Sequence, residues 1–160
     1  MTKAKRQDRL AKCPTDYVMF IERWDWSYSF GLNPIRRESD PYMEFRHLTL
    51  FGALLRPLRL ENEKAELTVI PSRDLDASNR FEREKPLGVG SLERNRNMKI
   101  NQGYLSMPLD VLSTILPMLV ADRLKFVVFR GIRIGLNRHV TMSSYRLQKT
   151  VDEDDMYSEE

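Results

Sequence analysis

"YVMFIERWDWSYSF", residues 17–30, decides the fold. Its first five residues are apolar without alternation, the pattern of a strand covered on both faces. From Glu22 onward the pattern changes to strict alternation. Trp24, Trp26, Tyr28 and Phe30 recur every second residue, with Arg23, Asp25, Ser27 and Ser29 between them. A period of two belongs to β-structure, where successive side chains point to opposite faces. The stretch therefore reads as one long strand that starts in the interior of a sheet. Its aromatic face is read as continuous with Val18 and Phe20, and so as core. Glu22 is then the single charge in that series.

Outward from this strand the signals remain those of β-structure. "GLNP" (31–34) stops it, because Pro34 cannot donate to a ladder, and "PIRRESDP" (34–41) is a polar loop. "MEFRHLTLFGALL" (43–55) predicts a second strand, with Gly52 marking a bulge or bend, and "AELTVI" (65–70) a third. Residues 72–86 form the longest polar connection. "LGVGSLE" (87–93) is a glycine-relieved strand, and 94–105 a hairpin region with Asn101-Gln102-Gly103 as turn candidates. Ser106 can cap one short helix near 106–120, where Leu109, Leu112, Leu116 and Leu119 recur at helical spacing and Pro117 is expected to kink or end it. "LKFVVFRGIRIGL" (124–136) and "VTMSSYRLQ" (140–148) complete an antiparallel pair around a turn at 137–139. Strand runs that do not alternate with helices predict a mainly β fold, an antiparallel sandwich or partly closed barrel of six to eight strands.

The chain of 160 residues suits a single domain. The net charge of +3 divides unevenly: residues 1–12 carry +4, residues 151–160 carry −6, and the middle carries +5. The expected organisation is a basic tail over 1–13, a β-rich domain over 14–150 and an acidic tail over 151–160.

Several kinds of chemistry are disfavoured. The single cysteine, Cys13, permits neither an intrachain disulfide nor a cysteine zinc cluster. His47 and His139 stand in no metal-ligand spacing and read as a half-buried sheet residue and a turn residue, so no metal site is expected. There is no G-x-S-x-G elbow and no G-K-[ST] loop. "GVGSLE" (88–93) opens like a dinucleotide fingerprint but has Glu93 where the third glycine belongs, so no cofactor is expected. "DASNRF" (76–81) starts the D-x-S-x-x-G element of cyclic-di-GMP-binding PilZ domains, yet Phe81 replaces the glycine and no R-x-x-x-R arm occurs. The N-terminal "MTKAKRQDRLAK" has no apolar segment of a secretory leader, and no apolar run reaches membrane-spanning length, so a soluble cytoplasmic location is expected.

Two constellations retain chemical meaning. Glu22 flanked by Trp24 and Trp26 resembles a carbohydrate-binding or hydrolytic site, in which indole rings stack on a sugar and raise the carboxyl pKa. Arg94, Arg96, Arg130, Arg133 and Arg138 meet nucleic-acid phosphates if they converge, which for Arg130 and Arg133 requires a bulge at Gly131. Neither outweighs the plainer reading, a non-enzymatic binding or protein-interaction module. Such a module would act with a protein partner or as a homo-oligomer, as a small subunit of a larger assembly.

Overall fold

The computed structural model describes residues 14–32, 41–72, 75–76, 88–95, 97–134 and 139–152. The expected basic tail with Cys13, residues 153–160 of the expected acidic tail, Arg96, Arg138, the loop at 33–40 and most of the 72–86 connection lie outside these residues. Seven strands close into a barrel in the order β1-β2-β3-β5-β4-β7-β6, with β6 pairing back onto β1. They are β1 (Pro14–Leu32), β2 (Tyr42–Arg56), β3 (Lys64–Ser72), β4 (Gly90–Asn95), β5 (Ile100–Pro108), β6 (Phe126–Ile134) and β7 (His139–Gln148). Among the described residues one α-helix, α1 (Leu109–Val120), follows β5. The mainly β expectation holds, and the form is the barrel.

Every neighbouring pair is antiparallel except β3 and β5. That exception arises because β5 is inserted between β3 and β4, so the chain returns to β3 running in the same direction. The turn expected at Asn101-Gln102-Gly103 lies instead at 97–99, and those three residues belong to β5. The Asn95 side chain makes the turn, its Oδ1 accepting from the backbone N–H groups of Asn97 and Met98. Gly103 is needed where it stands, since a Cβ there would lie 2.0 Å from the Ser91 carbonyl oxygen.

The barrel interior is filled by alternate side chains, as a barrel of this size requires. Leu48, Leu50 and Leu54 of β2, Leu67 and Val69 of β3, Leu105 and Met107 of β5, and Val127 and Phe129 of β6 meet Tyr17 and Met19 of β1 there. Each large apolar side chain so buried contributes about 1.5–3 kcal/mol. The helix packs onto this core at one end of the barrel through Leu112 and Leu119. Ser106 does not cap it. The helix starts at Leu109, whose N–H donates to Asp76 Oδ1 at 2.8 Å, and it continues past Pro117 to Val120. A carboxylate at a helix N-terminus is favoured by the helix dipole as well as by the bond itself.

A bulge in β1 sets the geometry where β1 and β2 leave the barrel. Ile21 of β1 pairs with Gly52 and Arg23 with Phe51, so Glu22 is an extra residue without an opposite number. An extra residue exchanges the two faces of all that follows. Before it Tyr17, Met19 and Ile21 point into the barrel; after it Trp24 and Trp26 do. The aromatic series is therefore not continuous with Val18 and Phe20, contrary to the reading from sequence. Phe20 lies on the outer surface against Phe126, their ring centroids 5.5 Å apart.

Tyr145 anchors β7 to the far end of β5, its hydroxyl donating to the Ser106 carbonyl at 2.8 Å. Burial raises its pKa above the ordinary 10.0. The folded chain then keeps a proton that the unfolded chain releases, so this contribution to stability is complete below pH 10.0 and is lost as pH rises through the folded value. Tyr145→Phe is expected to cost about 1 kcal/mol at neutral pH. It should also flatten the fall in thermal stability above pH 10.0, which denaturation at stepped alkaline pH reads directly.

Candidate interaction surface

β1 and β2 are longer than the barrel. β6 pairs with β1 only as far as Phe20, and β3 pairs with β2 only from Leu48 onward. Beyond those points β1 and β2 pair with each other alone, in register to Leu32 opposite Tyr42. They form a two-stranded ribbon that leaves the barrel at the end carrying α1. At its base Trp24 lies opposite Leu50 and Trp26 opposite Leu48, and both indoles are half-buried against the core.

Farther out, nothing among the described residues covers it. On the face continuing from the tryptophans, Tyr28 is 55% exposed, Phe30 61% and Leu32 74%. Tyr42 joins them, its ring stacked near that of Phe30 with centroids 5.3 Å apart. The opposite face carries Met43, Phe45 and His47 of β2 opposite the small residues Gly31, Ser29 and Ser27 of β1. Phe45 is half exposed and lies beside the His47 ring at 6.2 Å. Nearer the barrel on this face, the Arg23 guanidinium covers Phe51 at 3.7 Å from the ring centroid. Of the four aromatics that sequence assigned to the core, Trp24 and Trp26 face it, while Tyr28 and Phe30 lie past the rim.

Glu22 is not joined to the tryptophans in a site. It sits at the bulge on the outer surface, its carboxylate accepting from Lys64 Nζ at 3.2 Å, with both side chains well solvated. An exposed pair of this kind is worth about 0.2–1 kcal/mol. Glu22→Gln should leave the unfolding midpoint within about 3 °C of the parent in a urea-free thermal melt.

Arg94 of β4 and Arg130 and Arg133 of β6 lie toward the other end. The Asn95 end of β4 and the Ile134 end of β6 share the barrel end opposite the ribbon, since Leu92 pairs with Val140 and Val140 with Arg133. Arg94 there is engaged by Glu63, Nη1 to Oε1 at 2.6 Å, while Asn101 donates to Glu63 Oε2 at 2.9 Å and to the Lys64 carbonyl at 3.2 Å. Asn101 is the buried polar side chain of this region, and Glu63 satisfies it. Arg130 lies on the outer surface near Asp16 at 3.9 Å. The bulge beside Gly131 falls on β7, with Ser143 as the extra residue, so β6 gains none between Arg130 and Arg133. Among the described arginines, Arg94 and Arg130 are thus each beside a carboxylate. Glu63→Ala should cost about 2 kcal/mol in chemical denaturation, because it removes one of the two acceptors of the buried Asn101 amide and the carboxylate beside the partly buried Arg94 together.

Sequence reading missed the β2 side of the ribbon. The available signal was "YMEFRH" (42–47), where Tyr42 and Phe45 occupy opposite parities of one strand with no long polar face between them. A strand apolar on both parities is either central in a sheet or covered by something else.

No family model, no curated protein and no solved structure matches this chain. Among the described residues no helix is long and apolar enough to cross a membrane, and no group of three or more His, Cys, Asp or Glu side chains is placed to hold a metal ion.

Proposed function

We propose that this chain is a non-enzymatic interaction module that docks a protein partner on the β1–β2 ribbon. The observation that carries this reading is the cluster of exposed Tyr28, Phe30, Leu32, Tyr42 and Phe45 on a two-stranded projection. Two strands alone are marginally stable in water, and apolar residues on both their faces favour a covering surface. Tyr, Phe, Met and Arg are also the residues enriched where proteins meet. The charge of the ribbon favours protein over nucleic acid: residues 22–32 and 42–47 carry two arginines and three carboxylates, with no cationic excess for phosphates.

The test is a photo-crosslinking phenylalanine analogue placed at Phe30 and, as a control, at Thr141 on the exposed barrel wall. Discrete protein adducts are expected at position 30 and not at 141. Equal labelling at both positions, or none at 30, contradicts the proposal. Tyr28→Ser with Phe30→Ser should change the folding stability of the dissociated chain by no more than about 0.5 kcal/mol, since both side chains are largely exposed. The same pair of substitutions should abolish adducts from a crosslinker placed at Phe45.

A further inference from the structure

We infer that the ribbon's partner is a second copy of this chain, joined edge to edge along β1 with a two-fold axis at Ser27. The inference rests on the docking reading and names the occupant. Barrel closure removes free edges from every strand in the wall, because each has a neighbour on both sides. The ribbon restores them. The last β6-side bond of β1 is from the Ile21 N–H to the Lys125 carbonyl at 2.8 Å. From Glu22 to Leu32 that side of β1 has no strand beside it among the described residues. These eleven residues span roughly 36 Å.

Exposed edges are normally blunted by prolines, lysines or inward charges. Between Trp24 and Leu32 this edge carries only Asp25 as a charge, with no proline and no lysine. The sequence is also compatible with itself in antiparallel register. Centred on Ser27, Trp24 meets Phe30 of the second copy and Trp26 meets its Tyr28, all on the face where Tyr28 and Phe30 are now exposed. On the other face Arg23 meets Gly31, Asp25 meets Ser29, and Ser27 meets itself. No charge meets a like charge, and the bulkier residues meet only on one face. Aromatic cross-strand pairs stabilise such ladders, and a two-fold contact uses each of them twice. The edge of β2 offers a weaker alternative: only residues 42–47 are free of β3, and Glu44 and Arg46 already pair with each other at 2.6 Å.

The experiment uses the full chain with Cys13→Ser. Sedimentation equilibrium is expected to show a dimer, and Tyr28→Ser with Phe30→Ser to weaken it at least about tenfold. Ser27→Cys, placed on the axis, is expected to oxidise to a covalent dimer. Ser29→Cys should not, because its two sulfurs lie about four residues apart along the strands, roughly 13 Å. Asp25→Cys mixed with Ser29→Cys should crosslink between the two variants. A monomer at all concentrations overturns the inference, as does crosslinking at Ser29 equal to that at Ser27, or crosslinking at Phe45→Cys instead. A monomer whose Phe30 crosslinker still captures another protein overturns self-pairing and leaves the docking reading standing. A monomer that captures nothing overturns both.

Discussion

Gly52→Ala is expected to destabilise the protein by about 3 kcal/mol, near the upper end of overpacking costs. A Cβ at residue 52 would lie 1.8 Å from the Phe20 carbonyl oxygen and 2.9 Å from its carbon. Those atoms are backbone and have no rotamer through which to retreat. They are also the atoms that fold β1 around its extra residue, so relief would require undoing the bulge at Glu22. Undoing it returns β1 to simple alternation, which turns Trp24 and Trp26 away from Leu50 and Leu48. The variant therefore has a spectroscopic signature beyond its lower midpoint: red-shifted tryptophan emission in the native baseline. Gly31→Ala is the matched control. Nothing lies within 4 Å of a Cβ there, and the change should stay within about 0.5 kcal/mol. Equal losses from the two substitutions would show that close approach at the bulge is not what Gly52 provides.

The same bulge marks how far sequence carried the fold. Periodicity located six of the seven strands, since a period of two and its flanking prolines and glycines are local properties of the chain, while the centre of β5 was read as a turn. Gly52 signalled a bulge, but the extra residue lies thirty positions earlier, in β1 at Glu22. A bulge belongs to a pair of strands, and one strand's pattern does not say which partner residue lacks an opposite number. From that single unreadable residue follow the misread continuity of Phe20 with Trp24 and the placement of Glu22 away from the tryptophans. The exposure of Tyr28 and Phe30 was hidden for another reason. Alternation reports which residues share a face, and only the lengths of β3 and β6 determine how much of that face the barrel covers. The barrel in place of a sandwich is likewise a long-range fact, fixed by Pro14–Phe20 pairing with Phe126–Ile132 across more than a hundred residues. Asn101 shows the converse. Its amide suggested a turn, a local use, and the fold employs it instead to bind Glu63 across strands.

Phe129→Ala is expected to cost about 4 kcal/mol, the largest effect of any substitution argued for this chain. Its ring is stacked on that of Tyr17, centroids 4.8 Å apart and planes within 3°, and both residues are about 1% exposed. These two residues also face each other across the β1–β6 seam that closes the barrel. The loss thus combines a cavity in the core with the removal of an aromatic pair at the closure. At roughly 3 °C per kcal/mol for a chain of this size, the midpoint should fall by about 12 °C. Phe129→Leu keeps most of the volume and should recover more than half of that loss. The seam is the wall from which β1 enters the ribbon, so the effect on association separates two accounts of the fold. If barrel and ribbon are one cooperative unit, dimer formation and stability fall together as Phe129→Ala unfolds with denaturant. If the β1–β2 ribbon holds independently, crosslinking through Ser27→Cys will persist after the core signal from Tyr17 and the tryptophans has been lost. A ribbon of two strands has too little buried surface to persist alone, so the coincident transition is the expected one.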